Sequence, residues 1–274
     1  MNSKQPTCSL LIATYNWPEA LEKCLQSAFA QSVLPDEIII ADDGSTAETK
    51  DLITRFASLS TIPIQHIWHP DKGFRLSEIR NKAIAAATFD YIIQIDGDII
   101  MEQHFIQDHL SMATENAFIC GSRVKLESQL SSQLFQQKTA TLDKSKLPLG
   151  YVFNSFRIPF LGRFLADRYK RSKPTVLRGC NMSFWRKDLL AVNGYNSEIT
   201  GWGREDAELA IRLINNGVKK RFLKFMGIAY HLYHREHDRS NDPQNKELLA
   251  SAIKQQTTWI DNGIEKKHDT ERRS

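Results

Sequence analysis

Four short apolar runs, each followed by a polar or helical stretch, constrain the fold of this 274-residue chain more than any other feature. They are Cys8 to Thr14, Glu37 to Ala41, Ile62 to Trp68 and Tyr91 to Ile95. Each is too short for a core helix, and the near-continuous apolar character suits strands covered on both faces. Helical patterns lie between them. Trp17 to Ala30 carries Pro18 in its first turn and Leu21, Cys24, Leu25 and Ala28 on one face. A second begins at a Ser45 or Thr46 cap and reaches about Ser58; a third runs from about Ser77 to Ala87. Strand–helix alternation of this kind predicts an α/β fold with a mostly parallel central sheet and helices on both faces. Ala117 to Val124 reads as a further strand, and regularity fades over residues 125–175. Val176 to Trp185 restores order, Glu205 to Asn216 is an amphipathic helix closed by Gly217, and Phe222 to Tyr233 is strand-like. A last helix is expected over Asn245 to Ile260, and Ile264 to Ser274 reads as a frayed, charged tail.

In parallel sheets ligands bind beyond the carboxyl ends of the strands. Asn16, Asp42 and the pair Asp96 and Asp98 all fall just after strand ends, so separate strands deliver polar groups to one edge. Asp96-Gly97-Asp98 follows an apolar strand, where its carboxylates suit a hard divalent ion and a ribose. Asp42-Asp43-Gly44-Ser45 serves equally as a turn and helix cap or as a carboxylate that accepts a uracil imide N–H. Arg75 and Arg80 lie near the same edge, as surface helix residues or as phosphate or base contacts.

A second acidic pair, Glu205-Asp206, opens a helix, where the backbone dipole favours carboxylates on its own account. Gly201-Trp202-Gly203 directly before it adds two glycines that permit a tight turn and an indole on which a sugar can stack. His231 and His234, three residues apart, offer a third metal ligand; an imidazole beside carboxylates favours Mn2+, with Mg2+ the other candidate. His237 is given no role. Together these groups point to transfer from a metal-bound nucleotide donor to an alcohol.

Composition sets limits. The net charge of +4 gives no argument for nucleic acid. Neither a leader segment nor an apolar run near the ~18 residues of a membrane span is read. Cys8, Cys24, Cys120 and Cys180 are scattered, which fits reduced structural cysteines in a cytoplasmic protein. Arg157, Arg163, Arg168, Lys170, Arg171 and Lys173 interleave with Phe156, Phe160 and Phe164. Residues 156–173 are therefore either a surface loop or helix with partial core packing or a peripheral contact with anionic lipid at the inner face of the cell membrane, useful for a lipid-linked acceptor.

The motifs Ala13-Thr14-Tyr15-Asn16, Asp42-Asp43-Gly44-Ser45, Arg80-Asn81, Asp96-Gly97-Asp98, Arg178-Gly179-Cys180-Asn181-Met182 and Gly201-Trp202-Gly203-Arg204-Glu205-Asp206, with the two histidines, come in a specific order. From about Ser9 to about Pro243 the chain resembles inverting glycosyltransferases of family 2 with the GT-A fold. Its carboxyl half is similar to the galactosyltransferase-type region of chondroitin polymerases and β-1,4-galactosyltransferases. The resemblance implies a Rossmann-like sheet with a fused acceptor-binding subdomain. Residues 1–123 would be the nucleotide-sugar-binding half, 124–242 the acceptor-binding and catalytic half of the same domain, and 243–274 a helix and tail. It implies Thr14, Asn16, Asp42 and Arg80 at the donor, Asp96 on ribose or metal, and Asp98 on the metal with His231 or His234, the latter preferred. Asp206 would be the base, Glu205 would hold a sugar, and Trp202 and Asn181 would meet the acceptor. The substrates would be a UDP-sugar and a saccharide, free or lipid-linked. Where the family often has Gly-Gly-Glu-Asp, this chain has Arg204 in the second position.

Two other readings compete. A nucleotidyltransferase making a nucleotide-sugar would share the sheet and metal carboxylates but normally carries an early glycine-rich basic loop, and Thr14 to Ala20 has no glycine. A noncatalytic sugar-binding module would not need both acidic motifs.

Overall fold

The computed structural model describes residues 5–234 and 241–265; His237 and the tail beyond residue 265 lie outside the described residues. The strands are β1 (Cys8–Thr14), β2 (Glu37–Asp42), β3 (Ile64–Trp68), β4 (Tyr91–Asp96), β5 (Ile99–Met101), β6 (Ala117–Gly121), β7 (Val124–Lys125), β8 (Met182–Trp185), β9 (Lys219–Leu223) and β10 (Ala229–His231). The helices are α1 (Pro18–Phe29), α2 (Ala47–Leu59), α3 (Leu76–Ala86), α4 (Phe105–Met112), α5 (Ser128–Gln136), α6 (Leu149–Val152), α7 (Pro159–Leu165), α8 (Arg186–Ala191), α9 (Glu205–Asn215) and α10 (Asp242–Lys254).

Seven strands form one sheet in the order β3-β2-β1-β4-β8-β6-β9. Each neighbouring pair is parallel except the two made by β8, which runs against the rest. The mostly parallel α/β sheet is thus as the strand–helix alternation requires. Alternate side chains of the central strands feed two cores, since successive residues of a strand point to opposite faces. Leu10, Ile12, Ile38, Ile40, Ile93 and Ile95 pack with α1, α2 and α4. Leu11, Ala13, Ile39, Ala41 and Ile92 pack with α3, α8 and α9. The four cysteines are buried and unbridged.

A second sheet, β5-β10-β7, is what the sequence did not resolve. The expected strand Ala117 to Val124 is two strands in different sheets, linked through Ser122-Arg123. Gly121 marks the break: an added Cβ would lie 2.4 Å from the Asn181 amide. Phe222 to Tyr233 likewise divides between β9 and β10, and of Val176 to Trp185 only β8 is strand. The irregular stretch 125–175 contains α5, α6 and α7, each too short to show a period. The last helix starts at Asp242, earlier than expected, because Pro243 fits its first turn. Thr46 stands at the N-cap of α2 but makes no capping bond, and Ser45 Oγ instead accepts the Asn16 N–H at 2.8 Å, tying the ends of β1 and β2 together.

Helix α9, which opens with Glu205 and Asp206, is anchored by a buried ion pair. Arg212 donates to both Glu208 oxygens at 2.7 Å and to the carbonyls of Val192 and Gly194 at 2.6 and 2.7 Å. Both side chains are almost inaccessible. Arg212→Ala strands a buried carboxylate, so it should cost about 3–5 kcal/mol of unfolding free energy in urea titration. Replacing Glu208 and Arg212 together with apolar residues should cost less than that.

Candidate active site

A cleft of about 1050 Å³ opens at the carboxyl ends of β1 and β4, and Asp96, Asp98, Glu205, Asp206, His231 and His234 all line it. The two acidic motifs therefore share one cavity. Strand pairing explains the first half. β5 follows Asp98 at once, and its antiparallel register with β10 sets Ile99 opposite His231. The Leu232 N–H then donates to the Asp98 carbonyl at 3.0 Å, so the chain around His231 is pinned to the acidic turn. Gly97 makes the turn compact: its N–H donates to the Ala13 carbonyl at 2.7 Å, and a Cβ would come within 3.1 Å of Thr14 Oγ1.

His231 Nε2 and His234 Nε2 each lie 3.3 Å from Asp98 Oδ2. The nitrogen and oxygen atoms of this trio fall within 4.8 Å of one another. His231 Nδ1 donates to the Leu232 carbonyl at 2.9 Å, which leaves the Nε2 lone pair facing the carboxylate. Burial, Arg123 and His234 push His231 down to about 3, so it is neutral. Burial and then Asp96 push Asp98 up to about 8, and Asp98 Oδ1 is buried with no hydrogen-bond partner. Two imidazole nitrogens and a carboxylate oxygen converging on one point fit a divalent ion with one oxygen and two nitrogen ligands, whose charge would favour the ionised form of Asp98. Both histidines lie within reach of the same carboxylate, the preferred His234 and His231 alike.

The second half is organised by Arg80, for which the family resemblance implied a place at the donor. Its guanidinium is buried in α3 and bridges the two acidic motifs, at 2.8 Å from Asp96 Oδ1 and 3.1 Å from Asp206 Oδ1, with Glu205 Oε1 at 3.9 Å. Burial and then the Asp206 charge push Glu205 up to about 8, against the pull of Arg80, and Glu205 Oε2 has no partner. Burial raises Asp206, and Asp96 adds to this; Arg80 and a Tyr195 hydrogen bond oppose it. Asp206 Oδ2 rests on Gly179, where a Cβ would sit 1.9 Å away, so only glycine fits beneath this carboxylate.

Other expected residues divide. Thr14 and Trp202 line the cleft, the latter on a loop whose Gly201 and Gly203 have φ of +70° and +106°. Asn16 takes φ +44° and its Oδ1 accepts the Thr46 N–H, so it shapes the turn beside the cleft. Asp42 is corrected: it is fully buried, accepting from Ser45 N and held 2.9 Å from His66 Nε2, while its neighbour Asp43 faces the cleft. Asn181 is corrected too. It is fully buried, its amide donating to the Ser122 and Gly227 carbonyls, so it supports the cleft wall and does not reach an acceptor. Arg204 turns to Asp242 at 2.8 Å, tying the start of α9 to the start of α10. Two further groups carried no readable signal: Tyr195, whose hydroxyl meets Asp206, and Arg123, between β6 and β7, with a buried Nε that lacks a partner; Asp43 lay within a marked motif, where Asp42 was preferred to it.

The model of glycosyl transferase family 2 matches residues 9–191, and one described as the N-terminal domain of galactosyltransferase matches residues 162–235. The chain belongs to glycosyl transferase family 2. It is 26% identical to chondroitin synthase of Escherichia coli over 81% of this chain and 34% of that one. It is 25% identical to validoxylamine A glucosyltransferase of Streptomyces hygroscopicus subsp. limoneus over 79% of this chain and 49% of that one. The chain thus spans half or less of the length of these relatives. Among solved structures, the mannosyltransferase PcManGT from Pyrobaculum calidifontis, in complex with GDP-Man and Mn2+, superposes with a TM-score of 0.64 at 15% identity, covering 92% of this chain and 65% of that one. TarS of Staphylococcus aureus gives 0.62 at 14% identity, covering 90% of this chain and 39% of that one. The fold is GT-A.

The geometry of the trio predicts that Asp98→Asn and His231→Ala each weaken Mn2+ binding at least tenfold, as read by electron paramagnetic resonance of the free ion. Unchanged binding in both variants would remove the metal site.

Proposed function

We propose that this chain is a metal-dependent, inverting glycosyltransferase that moves a hexose or N-acetylhexosamine from a UDP-sugar to a hydroxyl of a saccharide, free or lipid-linked. The observation that carries the reading is the opening of the Asp98–His231–His234 trio and the Glu205–Asp206 pair onto one cleft. The kinship with chondroitin synthase supports a role in polysaccharide synthesis, here a bacterial surface polysaccharide or lipopolysaccharide. In this reading residues 1–123 hold the donor, 124–242 the acceptor and the base, and 243–274 form the closing helix and tail.

The division of labour follows from the residues. Asp43, facing the cleft near Thr14, accepts the imide N–H of uracil. Asp96 meets the ribose, and its bond to Arg80 fixes its rotamer. Asp98, His231 and His234 hold the cation, Mn2+ in preference to Mg2+ because two ligands are nitrogens. When bound there, the ion offsets charge on the departing diphosphate. Trp202 gives the sugars an apolar face. Asp206 takes the proton of the acceptor hydroxyl as that oxygen attacks the anomeric carbon; one displacement inverts the centre. Glu205, whose carboxyl is raised by burial and by the Asp206 charge, is suited to keep a proton and donate a hydrogen bond to a sugar oxygen.

Asp206→Asn should lower transfer about 10²- to 10⁴-fold while UDP-sugar binding persists. The assay is Mn2+-dependent UDP release from a panel of UDP-sugars with and without acceptor. Near-normal turnover in the variant refutes the base, and product formation only from a nucleoside triphosphate and sugar phosphate would make the chain a nucleotidyltransferase.

One observation favours a location at the inner face of the cell membrane. Phe153, Phe156, Phe160 and Phe164 are 71, 51, 76 and 59% exposed, a cost in water that an interface removes. Arg163, Arg168, Arg171 and Lys173 are exposed beside them, whereas Arg157 is committed to Asp108 at 2.6 Å. Aromatic groups among cations suit an anionic lipid surface. Among the described residues no helix is long and apolar enough to cross a membrane. The protein should sediment with vesicles containing phosphatidylglycerol but not with pure phosphatidylcholine, and Phe160→Ser with Phe164→Ser should weaken this at least tenfold. No sedimentation with either vesicle rejects the contact.

A further inference from the structure

The segment between α8 and α9 is held more tightly than its length or exposure explains. Asn193 and Gly194 take successive left-handed conformations, φ +62° and +68°. A non-glycine residue there persists only where its surroundings over-determine it. Asn193 Nδ2 donates to the carbonyls of Ile260 and Glu265, and the Ile264 N–H donates back to the Asn193 carbonyl. Arg212 takes the carbonyls on either side of Asn193. Asn81 of α3 then clamps the backbone of the next residue, Tyr195, donating to its carbonyl and accepting its N–H, both at 2.7 Å.

What this framework presents is a single phenol. Tyr195 is fully buried, with the Arg80 guanidinium 5.3 Å from its ring centre. Its hydroxyl oxygen lies 2.9 Å from Gln94 Oε1 and 3.2 Å from Asp206 Oδ1. The amide orientation is fixed, because Gln94 Nε2 donates to the Gly179 carbonyl at 3.0 Å. A phenol has one proton, and both neighbours are acceptors. It cannot satisfy the two at once.

We propose that Tyr195 is a positioning residue for Asp206, and that its one proton, shared between Asp206 and Gln94, sets the orientation and basicity of that carboxylate. This rests on the reading of Asp206 as the base. While Asp206 is ionised, the phenol donates to it. Once Asp206 has taken the acceptor proton, the phenol turns to Gln94, so neither buried acceptor stays unpaired in the product state. The charged and titratable groups facing Asp206 are Arg80 from α3, Asp96 from the end of β4, Glu205 from its own helix, Tyr195, and more remotely the Cys120 thiol of β6. Burial, then Asp96, raise the Asp206 carboxyl; Arg80, the Tyr195 hydroxyl and a hydrogen bond with Glu205 lower it. Loss of the hydroxyl therefore moves the acid limb of the rate profile to higher pH. Loss of the competing Gln94 acceptor dedicates the proton to Asp206 and moves the limb the other way.

The test is single-turnover transfer measured across pH for Tyr195→Phe and Gln94→Met. For Tyr195→Phe we expect a roughly tenfold lower rate at pH 7, a limb about one pH unit higher and a donor KM within about twofold of wild type, the scale of one hydrogen bond to a charged group. Gln94→Met should shift the limb downward. Should Tyr195→Phe fail to fold, the downward shift in Gln94→Met still decides. Limbs that stay in place in the folded variants, or a loss confined to KM, overturn the proposal and leave Tyr195 a packing residue. Asp206→Asn separates the two levels: if it transfers normally, the base assignment itself has failed; if it is inactive while both limbs stay fixed, only the role of Tyr195 has.

Discussion

Arg80 reaches Asp96 through one terminal nitrogen and Asp206 through the other, and much of the cleft depends on that bridge. Three carboxylates converge at the buried end of a cavity, where repulsion would otherwise drive them apart or protonate them. A guanidinium is suited to the task because its fork holds charge without deprotonating and meets two partners in fixed directions. It also explains why α3 lies where it does: the helix buries Ile79, Ala83 and Ile84 against one face of the sheet, and that face sets Arg80 under the acidic edge. Removing one member of such a buried network is costed at about 3–5 kcal/mol, because the remaining charges stay behind uncompensated.

The metal cluster depends on a different constraint, the small second sheet. His231 and Asp98 are far apart in the chain and meet only because β10 pairs with β5 directly after the acidic turn. β7 then covers the other side of β10, which leaves His231 buried and neutral. The metal cluster is thus built by the small sheet and the acidic pair by α9, with Arg80 of α3 joining Asp96 to Asp206. Glycines at 97 and 179 let backbone approach where a side chain could not stand.

Much of this was legible in the residues. The apolar runs revealed the central strands within a residue or two, because full burial on both faces leaves a continuous signal that needs no partner to be recognised. Motif order marked Asp96, Asp98, Glu205, Asp206 and the two histidines. Less was legible where a structure is defined by pairing: the split of Ala117 to Val124, the three short strands of the second sheet and the short helices of residues 125–175 are too brief to carry a period.

Sequence by itself determined the fold class and the identity of the chemical groups, since hydrophobic periodicity and residue type are local properties. Tertiary structure alone decided which groups face the cleft. Asp42 and Asp43 are adjacent and chemically equal, and each is buried against a histidine, His66 or His69, yet only Asp43 touches the cavity. Tyr195 shows no pattern at all, and its hydroxyl meets Asp206 only after Asn81 has fixed its backbone. Direction of a side chain, and the proton affinity that follows from burial and neighbouring charge, arise from contacts between distant segments, and no local stretch of sequence encodes them.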